Sequence, residues 1–384
     1  MIATLDRNSA LVLGKVSRSG LKLEWQGQSI RLDQDGRWCS YRNGRHFYRR
    51  CVDGEVVLHQ GDEGLIVCDA IAASQVLDEV HHLIRQLLNQ LDNPENFHLG
   101  AGVLSDVKKI LALGLHCDGA YYQDQKLLFD QVYPEPVSIL PPDRYRDLVV
   151  QPAIGCPSRE CTFCAFYRDR PFRILSADEF DRQIDGLRQL LGKSISGRDG
   201  IFLGSANGMV LSQRRMMQFL ARIQRVFGVP RRGIASFYDP YHSPVRSLGQ
   251  WQSLRGEGLR RVVIGLETGF PSLREQLGKS PSLNLLYQSV ALLKQAGINI
   301  GVTVLVGAGG KALGQHHVQQ TVEVLKALPL SPDDLVYLSP LKTEGLNIEP
   351  QWVDGQMASF RSQLGAIGRA KALDYQMNRF RYYS

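Results

Sequence analysis

The chain has 384 residues, with 45 lysines and arginines against 38 aspartates and glutamates, for a formal net charge of +7. Hydrophobic residues at 43% and charged residues at 22% exclude a disordered chain and supply enough apolar material for one large domain and a smaller one. No run of 18 apolar residues occurs, and the opening MIATLDRNSA lacks a basic segment followed by an apolar one, so no membrane span or secretory signal is expected and a cytoplasmic location is.

Residues 1 to about 70 are expected to be β-rich. Alternation runs through Leu21-Lys22-Leu23-Glu24-Trp25, and Asp35-Gly36 and Asn43-Gly44 mark turns. From Ala72 to Leu91 the period changes, with Val76, Leu77, Val80, Leu83, Ile84 and Leu87 at helical steps, and a second helix is expected over about 105–113. Residues 1–140 are thus an α+β domain whose role the sequence does not disclose. His81-His82 and His116-Cys117 have ligand chemistry, but core or surface positions explain them more simply. Cys39, Cys51, Cys68 and Cys117 are scattered, as buried free thiols are, and do not form a disulfide framework. Pro134, Pro136, Pro141 and Pro142 make a stiff extended connector.

Beyond it, strand and helix alternate. Strands are expected at about 147–153, 200–204, 233–238, 261–266, 298–306 and 335–339. Helices are expected after Ser176, a good N-cap, and at about 212–226, 245–255, 271–277, 283–296 and 314–327. Alternation of this kind builds a parallel sheet with right-handed crossovers and a site at the C-terminal ends of its strands. That rule brings the loop after the first strand, Ser205, Ser236, Glu267 and Gly307 to one face. A tail, 341–384, carries a last helix at about 355–370.

The loop after the first strand, QPAIGCPSRECTFCAFYRDRPFR, places Cys156, Cys161 and Cys164 at C-x4-C-x2-C. Three thiolates on one loop suit an iron–sulfur cubane with its fourth iron left open. A structural zinc wants four ligands, and no second C-x2-C or nearby histidine supplies the fourth. Arg159, Arg168, Arg170 and Arg173 flank the cysteines, either offsetting cluster charge or merely solvated.

These residues resemble the radical S-adenosylmethionine (SAM) superfamily, whose usual motif is C-x3-C-x2-C with an aromatic residue before the last cysteine. Phe163 holds the aromatic position, and the first gap is one residue longer than usual. The resemblance covers about residues 146–340 and implies an α/β fold, a partial (β/α)6 TIM-type barrel. It implies a [4Fe-4S] cluster on Cys156, Cys161 and Cys164, SAM chelated at the open iron, and reductive cleavage to a 5′-deoxyadenosyl radical that abstracts hydrogen from a substrate. Ile264-Gly265-Leu266-Glu267-Thr268-Gly269 resembles the fourth-strand motif of the branch containing oxygen-independent coproporphyrinogen oxidase and the elongator catalytic subunit. By that likeness Glu267 contacts the SAM ribose and Lys279, twelve residues on, its carboxylate. Gly204 and Ser205 stand where backbone meets the SAM amino group, with Asn207 close by, and Ser236, Thr303 and Gly307 complete the expected SAM-contacting set.

An electron donor such as flavodoxin or ferredoxin is implied. The first expectation for the substrate is a small organic molecule. The positive charge also permits an RNA substrate, and a non-catalytic cofactor carrier is a third reading. No second cysteine cluster and no cobalamin-binding D-x-H-x-x-G is present. Tyr167, Tyr238, Asp239, His242 and Glu344 are candidates for substrate-side chemistry only by their place near strand ends or loops.

Overall fold

The computed structural model describes residues 11–61, 64–99, 104–204, 206–341, 350–377 and 380–384. The chain divides into two compact units, Met1–Pro134 with Asp185–Arg198 and Arg381–Ser384, and Glu135–Ile184 with Asp199–Phe380.

The first unit is a β meander with helices on one side. Its strands are β1 (Val12–Ser17), β2 (Gly20–Trp25), β3 (Gln28–Leu32), β4 (Trp38–Asn43), β5 (His46–Arg50), β6 (Val56–His59) and β7 (Leu65–Val67). Helix α1 (Ala70–Gln90) follows, then β8 (Phe97–Leu99), α2 (Leu104–Leu115) and α3 (Gly119–Val132). The sheet order is β7-β6-β5-β4-β3-β2-β1-β8, antiparallel except that β8 returns parallel to β1. Two-residue periodicity puts Leu21, Leu23, Ile30, Leu32, Trp38 and Tyr41 on one face, where they pack with Val80, Ile84 and Leu87 of α1 and Val107, Ile110 and Leu111 of α2. Asp69 and Asp118 cap α1 and α3 through their side chains. Strand β8 and helix α3 were not foreseen. Three residues are too short for a periodicity signal, and α3 buries only Phe129 and Val132.

The second unit is the expected alternation. It contains β9 (Leu148–Val150), β10 (Ala153–Ile154), β11 (Arg173–Ile174), the start of α4 (Ala177–Leu191), β12 (Ile201–Leu203), α5 (Gln213–Phe227), β13 (Ile234–Tyr238), α6 (Leu248–Gly256) and β14 (Leu259–Glu267). It continues with α7 (Pro271–Gln276), α8 (Asn284–Gln295), β15 (Asn299–Val306), α9 (Gly310–Ala327), β16 (Leu335–Pro340), α10 (Pro350–Ile367) and β17 (Lys371–Asp374). Seven strands pair in parallel in the order β17-β16-β15-β14-β13-β12-β9. This is the α/β partial TIM-type barrel, extended by one strand. The tail expected to be helical also supplies β17, which pairs with β16 and groups with this unit. Four residues, Lys-Ala-Leu-Asp, carry too little pattern to be told from a loop.

On the sheet face opposite the helices, Val263, Leu335, Tyr337 and Tyr375 pack with Ile139, Phe237, Leu373 and Met377. At the N-terminal end of the strands, the Asp143 carboxylate accepts from Arg261 at 2.8 Å, Arg232 at 3.0 Å and the Tyr337 hydroxyl at 2.7 Å. No helix among the described residues is long and apolar enough to cross a membrane.

At the other end of the strands, His317 of α9 is fully buried. Its Nε2 donates to the Leu305 carbonyl at 3.1 Å, and its Nδ1 lies 2.8 Å from the Thr268 hydroxyl. Burial pushes its pKa down to about 4. The unfolded chain therefore binds a proton between about pH 6.5 and 4 that the folded chain refuses. This histidine's contribution is full above pH 6.5 and is lost as pH falls toward 4, about 3 kcal/mol in all. Urea unfolding is expected to show a matching fall in stability over that window. His317→Gln should flatten it, and an unchanged slope in the variant would assign the acid sensitivity elsewhere.

Candidate functional site

The cysteine loop is held at its base before it reaches the thiols. Strands β10 and β11 pair Ala153 with Ile174 and Ile154 with Arg173, pinning both ends of residues 155–172. Gly155 turns the chain with φ +72°, and a Cβ there would lie 3.0 Å from the Pro171 carbonyl. Its N–H donates to Glu135 Oε2 at 2.9 Å, and Arg170 reaches the same oxygen at 3.3 Å. Glu135 is only 3% exposed, and its backbone carbonyl accepts from the Gln151 side chain at 2.9 Å. Burial raises its carboxyl pKa against the opposing Gly155 and Arg170 bonds. Sequence reasoning passed over Glu135 because it stands between Pro134 and Pro136, where a solvated spacer is the ordinary reading.

The loop then docks on the turn after α7. Thr162 N–H donates to the Leu277 carbonyl at 3.1 Å and its hydroxyl to the Gln276 carbonyl at 3.2 Å. Phe163 packs with Leu273, Leu277, Leu305 and Ala308. Gly278, at φ +70°, presents its missing side chain to the backbone of Glu160 and Cys161. The flanking arginines are structural. Arg168 donates to the carbonyls of Cys161 at 2.8 Å and Thr162 at 3.0 Å, Arg159 to that of Arg170 at 3.1 Å, and Arg173 pairs with Glu179 at 2.8 Å.

Cys156, Cys161 and Cys164 are all free and half-buried. Burial pushes the Cys156 thiol up to about 11, with Cys161 and Cys164 adding to the rise. Burial raises Cys164 too, with Cys161 and Glu267 contributing. Among the described residues, these three do not form a set whose ligand atoms all lie within 4.8 Å of one another. A single tetrahedral zinc, with Zn–S near 2.3 Å, needs sulfurs about 3.8 Å apart. Three thiols that feel one another from wider positions suit the corners of a cluster, so the donor set fits a cubane better than a lone ion. Among the described residues, the set that does meet the closer spacing is Cys51, Asp53 and Glu55 in the first unit, where Glu55 lies 3.9 Å from Arg381.

Beside the loop stand the strand ends. Glu267 closes β14 with φ +62°, and the Thr268 N–H donates back to the Leu266 carbonyl at 2.8 Å, a tight turn with a left-handed non-glycine at its centre. The β14–β15 register shifts at the same place, between Gly265 and Glu267. The distortion sets the carboxylate against Thr303, whose hydroxyl donates to Oε1 at 3.2 Å, with Lys279 Nζ 3.7 Å away. Lys279 also donates to the Gly265 carbonyl at 3.1 Å. Burial pulls the Lys279 ammonium down, but Glu267, Asp239 and Cys161 outweigh it, so its pKa is raised. Asp239 Oδ2 lies 2.9 Å from His242 Nδ1, and that bond raises the histidine.

Other expected residues have different duties. Ser236 is fully buried, with its hydroxyl proton shared between the Leu203 and Phe237 carbonyls at 3.1 and 2.9 Å, which braces β12 against β13. Asn207 accepts from the Met209 N–H and donates to Ser243 at 2.9 Å, as a turn brace. The Tyr238 hydroxyl lies 3.2 Å from Ser289 and its ring meets Trp251 edge-on, a core role. Tyr167 is buried near Glu135, Cys164 and Cys156, which with burial hold its phenol well above the usual range. Gly204 ends β12 over Val149 and Gln151. The Gly307 N–H, at φ +97°, donates to Gln356 of α10. Ser205 and Glu344 lie outside the described residues. In the first unit, His81 Nε2 donates to the Cys117 carbonyl at 3.1 Å, and the ring is a core residue.

Two residues near the site were missed. Arg274, fully buried, donates to the carbonyls of Ser280 at 2.7 Å and Leu266 at 2.6 Å, and fixes the end of β14. Gln356 was hidden in a tail read only as a helix. Arg274 gave no signal because an arginine in Pro-Ser-Leu-Arg-Glu-Gln looks like a solvated helix face.

Residues 150–325 match the family described as the radical SAM superfamily. These residues are a radical SAM domain, whose cofactors are a [4Fe-4S] cluster and SAM. No curated protein sequence matches the chain. Among solved structures, the radical SAM methyltransferase TsrM from Kitasatospora setae is 19% identical with a TM-score of 0.39, covering 51% of this chain and 35% of its own. Coproporphyrinogen III oxidase (HemN) from Escherichia coli is 14% identical at a TM-score of 0.39, covering 63% and 55%. Methylornithine synthase (PylB) is 13% identical at 0.39, covering 77% and 85%. The chain thus spans about a third of the length of TsrM, and the assignment of its radical SAM domain rests on the sequence match.

Proposed function

We propose that this chain cleaves SAM reductively and uses the radical to abstract hydrogen from a compact organic group held in the barrel. The observation that carries the reading is one loop bearing three thiols, docked beside the Glu267–Lys279 pair at the C-terminal ends of parallel strands. Cys156, Cys161 and Cys164 hold the cluster, which supplies the electron for SAM cleavage. Glu267, steadied by Thr303, accepts from the ribose hydroxyls, a charge-assisted arrangement. Lys279 faces the SAM carboxylate, Gly204 offers a backbone group and Gly307 its carbonyl, since its N–H is held by Gln356, and Phe163 fixes the loop against α7. Toward the substrate, Tyr375 and Ser339 are buried with hydroxyls that have no hydrogen-bond partner among the described residues, so a bound group with matching donors and acceptors is favoured there. Low-potential reduction implies a flavodoxin- or ferredoxin-like donor.

Anaerobic reconstitution should give a brown protein with four irons per chain. Addition of SAM and dithionite should release 5′-deoxyadenosine well above a protein-free control. Cluster assembly without any 5′-deoxyadenosine would instead support a cofactor carrier.

A further inference from the structure

The meander of the first unit has a second face. Along β1 to β5, every residue opposite the covered, apolar face is polar, charged or aromatic apart from Leu13 and Gly20. The strand register sets Lys15, Lys22, Arg31, Ser40 and Arg49 in one row across five strands, each directly opposite the next. The neighbouring row runs Leu13, Glu24, Ser29, Arg42, Phe47 and His59. Five cations therefore share the face with one carboxylate, and Lys15–Lys22 and Lys22–Arg31 are like charges in direct opposition, which costs stability. Glu24 pairs with Lys22 at 2.5 Å, but the two side chains are 49% and 60% exposed and the pair neutralises little. Lys15, Arg31, Arg42 and Arg49 have no acidic partner among the described residues.

Ring faces are interleaved with these cations. The Arg42 guanidinium lies over Phe47 at 4.6 Å, and Phe47 is 5.2 Å from His59. His59 is 5.8 Å from Tyr383, over which Arg49 lies at 3.5 Å. Lys22, Arg31, Ser40, Arg42 and Phe47 line a groove of about 620 Å³, with Gln28 and Ser29 supplying neutral donors and acceptors. A folding role explains an outward polar face. It does not explain like charges in direct opposition or ring planes set among guanidinium groups.

We propose that this sheet face binds single-stranded RNA. Cations in a row suit a phosphate backbone, Phe47 and the arginine planes suit splayed bases, and the small hydroxyl and amide groups suit a 2′-hydroxyl that both donates and accepts. An anionic membrane would call for exposed apolar side chains that insert; of the groove's Leu11, Leu13, Trp25 and Ile30, the last two are buried in the core and the two leucines are half-buried. An acidic peptide would leave the stacked rings unused. Binding on this face requires neither cluster nor SAM, so it stands or falls apart from the radical chemistry.

The test uses the full chain and a fluorescein-labelled twelve-nucleotide oligouridylate, read by anisotropy from 50 to 200 mM KCl. Log affinity should fall against log salt with a slope of about −3, for roughly four phosphate contacts at 0.7 each. Arg31→Glu with Arg42→Glu should weaken binding at least tenfold and flatten the slope by about 1.4. Phe47→Ala should cost about five- to a hundredfold through lost stacking. Arg214→Glu with Arg225→Glu, exposed on α5, makes the same change in net charge and should leave affinity within twofold. Should the glutamate pair on the sheet unfold the unit, Arg31→Gln with Arg42→Gln serves in its place. Equal loss from both charge-reversal pairs would overturn the assignment, as would undiminished binding in the sheet variant. So would tighter capture of the matching deoxyoligonucleotide, polyglutamate or phosphatidylglycerol vesicles.

Discussion

A Cys161→Ala chain should fold, stay colourless after anaerobic reconstitution, and release no 5′-deoxyadenosine above background. The loop keeps its shape without the thiol, because its anchors are elsewhere. Thr162 holds the Leu277 and Gln276 carbonyls, Arg168 holds the carbonyl of residue 161 itself, and Phe163 stays in its apolar cluster. Removing a half-buried sulfur costs about 1 kcal/mol of packing, small beside the stability of a domain. On the proposed ligation, the cluster by contrast loses one of three protein ligands. Iron and acid-labile sulfide per chain should fall at least tenfold, with loss of the broad absorbance near 400 nm. Retention of four irons would show that another residue supplies the third ligand.

Gly278→Ala should damage the same centre without touching a ligand. The position sits at φ +70°, which costs a residue with a Cβ about 1–2 kcal/mol. The new methyl also overlaps the carbonyl of Glu160, a backbone group that cannot rotate aside. Together these come to about 3 kcal/mol or more, enough to lift the loop from α7 rather than unfold the barrel. Cluster content should drop by at least half and SAM cleavage about tenfold, with the melting temperature changed by only a few degrees. Gly228→Ala is the control. It has a similar φ of +73° but open space around it, so it carries the strain without the collision. Equal cluster yields from the two variants would mean that docking at Gly278 does not support the thiols.

The site was legible where chemistry is written in residue type and spacing. Three cysteines, an aromatic before the last, and a Glu-Thr-Gly at a strand end could be read directly, and strand–helix alternation placed them on one face. What escaped was geometry that no pattern encodes. Glu135 looks like a spacer between prolines, yet it is the buried acid that holds the loop at Gly155. Ser236 has a plausible ligand chemistry, and only the register of β12 and β13 shows its hydroxyl proton shared between two carbonyls. Arg274 and Gln356 act through backbone groups far away in sequence, so nothing near them announces it. Strand β17 pairs with β16, which gives its four residues a place that their composition does not.

The bare positions on the sheet are coupled to their neighbours. A methyl group at Gly265 would push Glu267 and Lys279 out of their places, and one at Gly301 would turn the Tyr337 ring. Substitution at either bare position would therefore act through the side chains it displaces, so a small change on β14 or β15 would be read at the Glu267–Lys279 pair or in the packing around Tyr375.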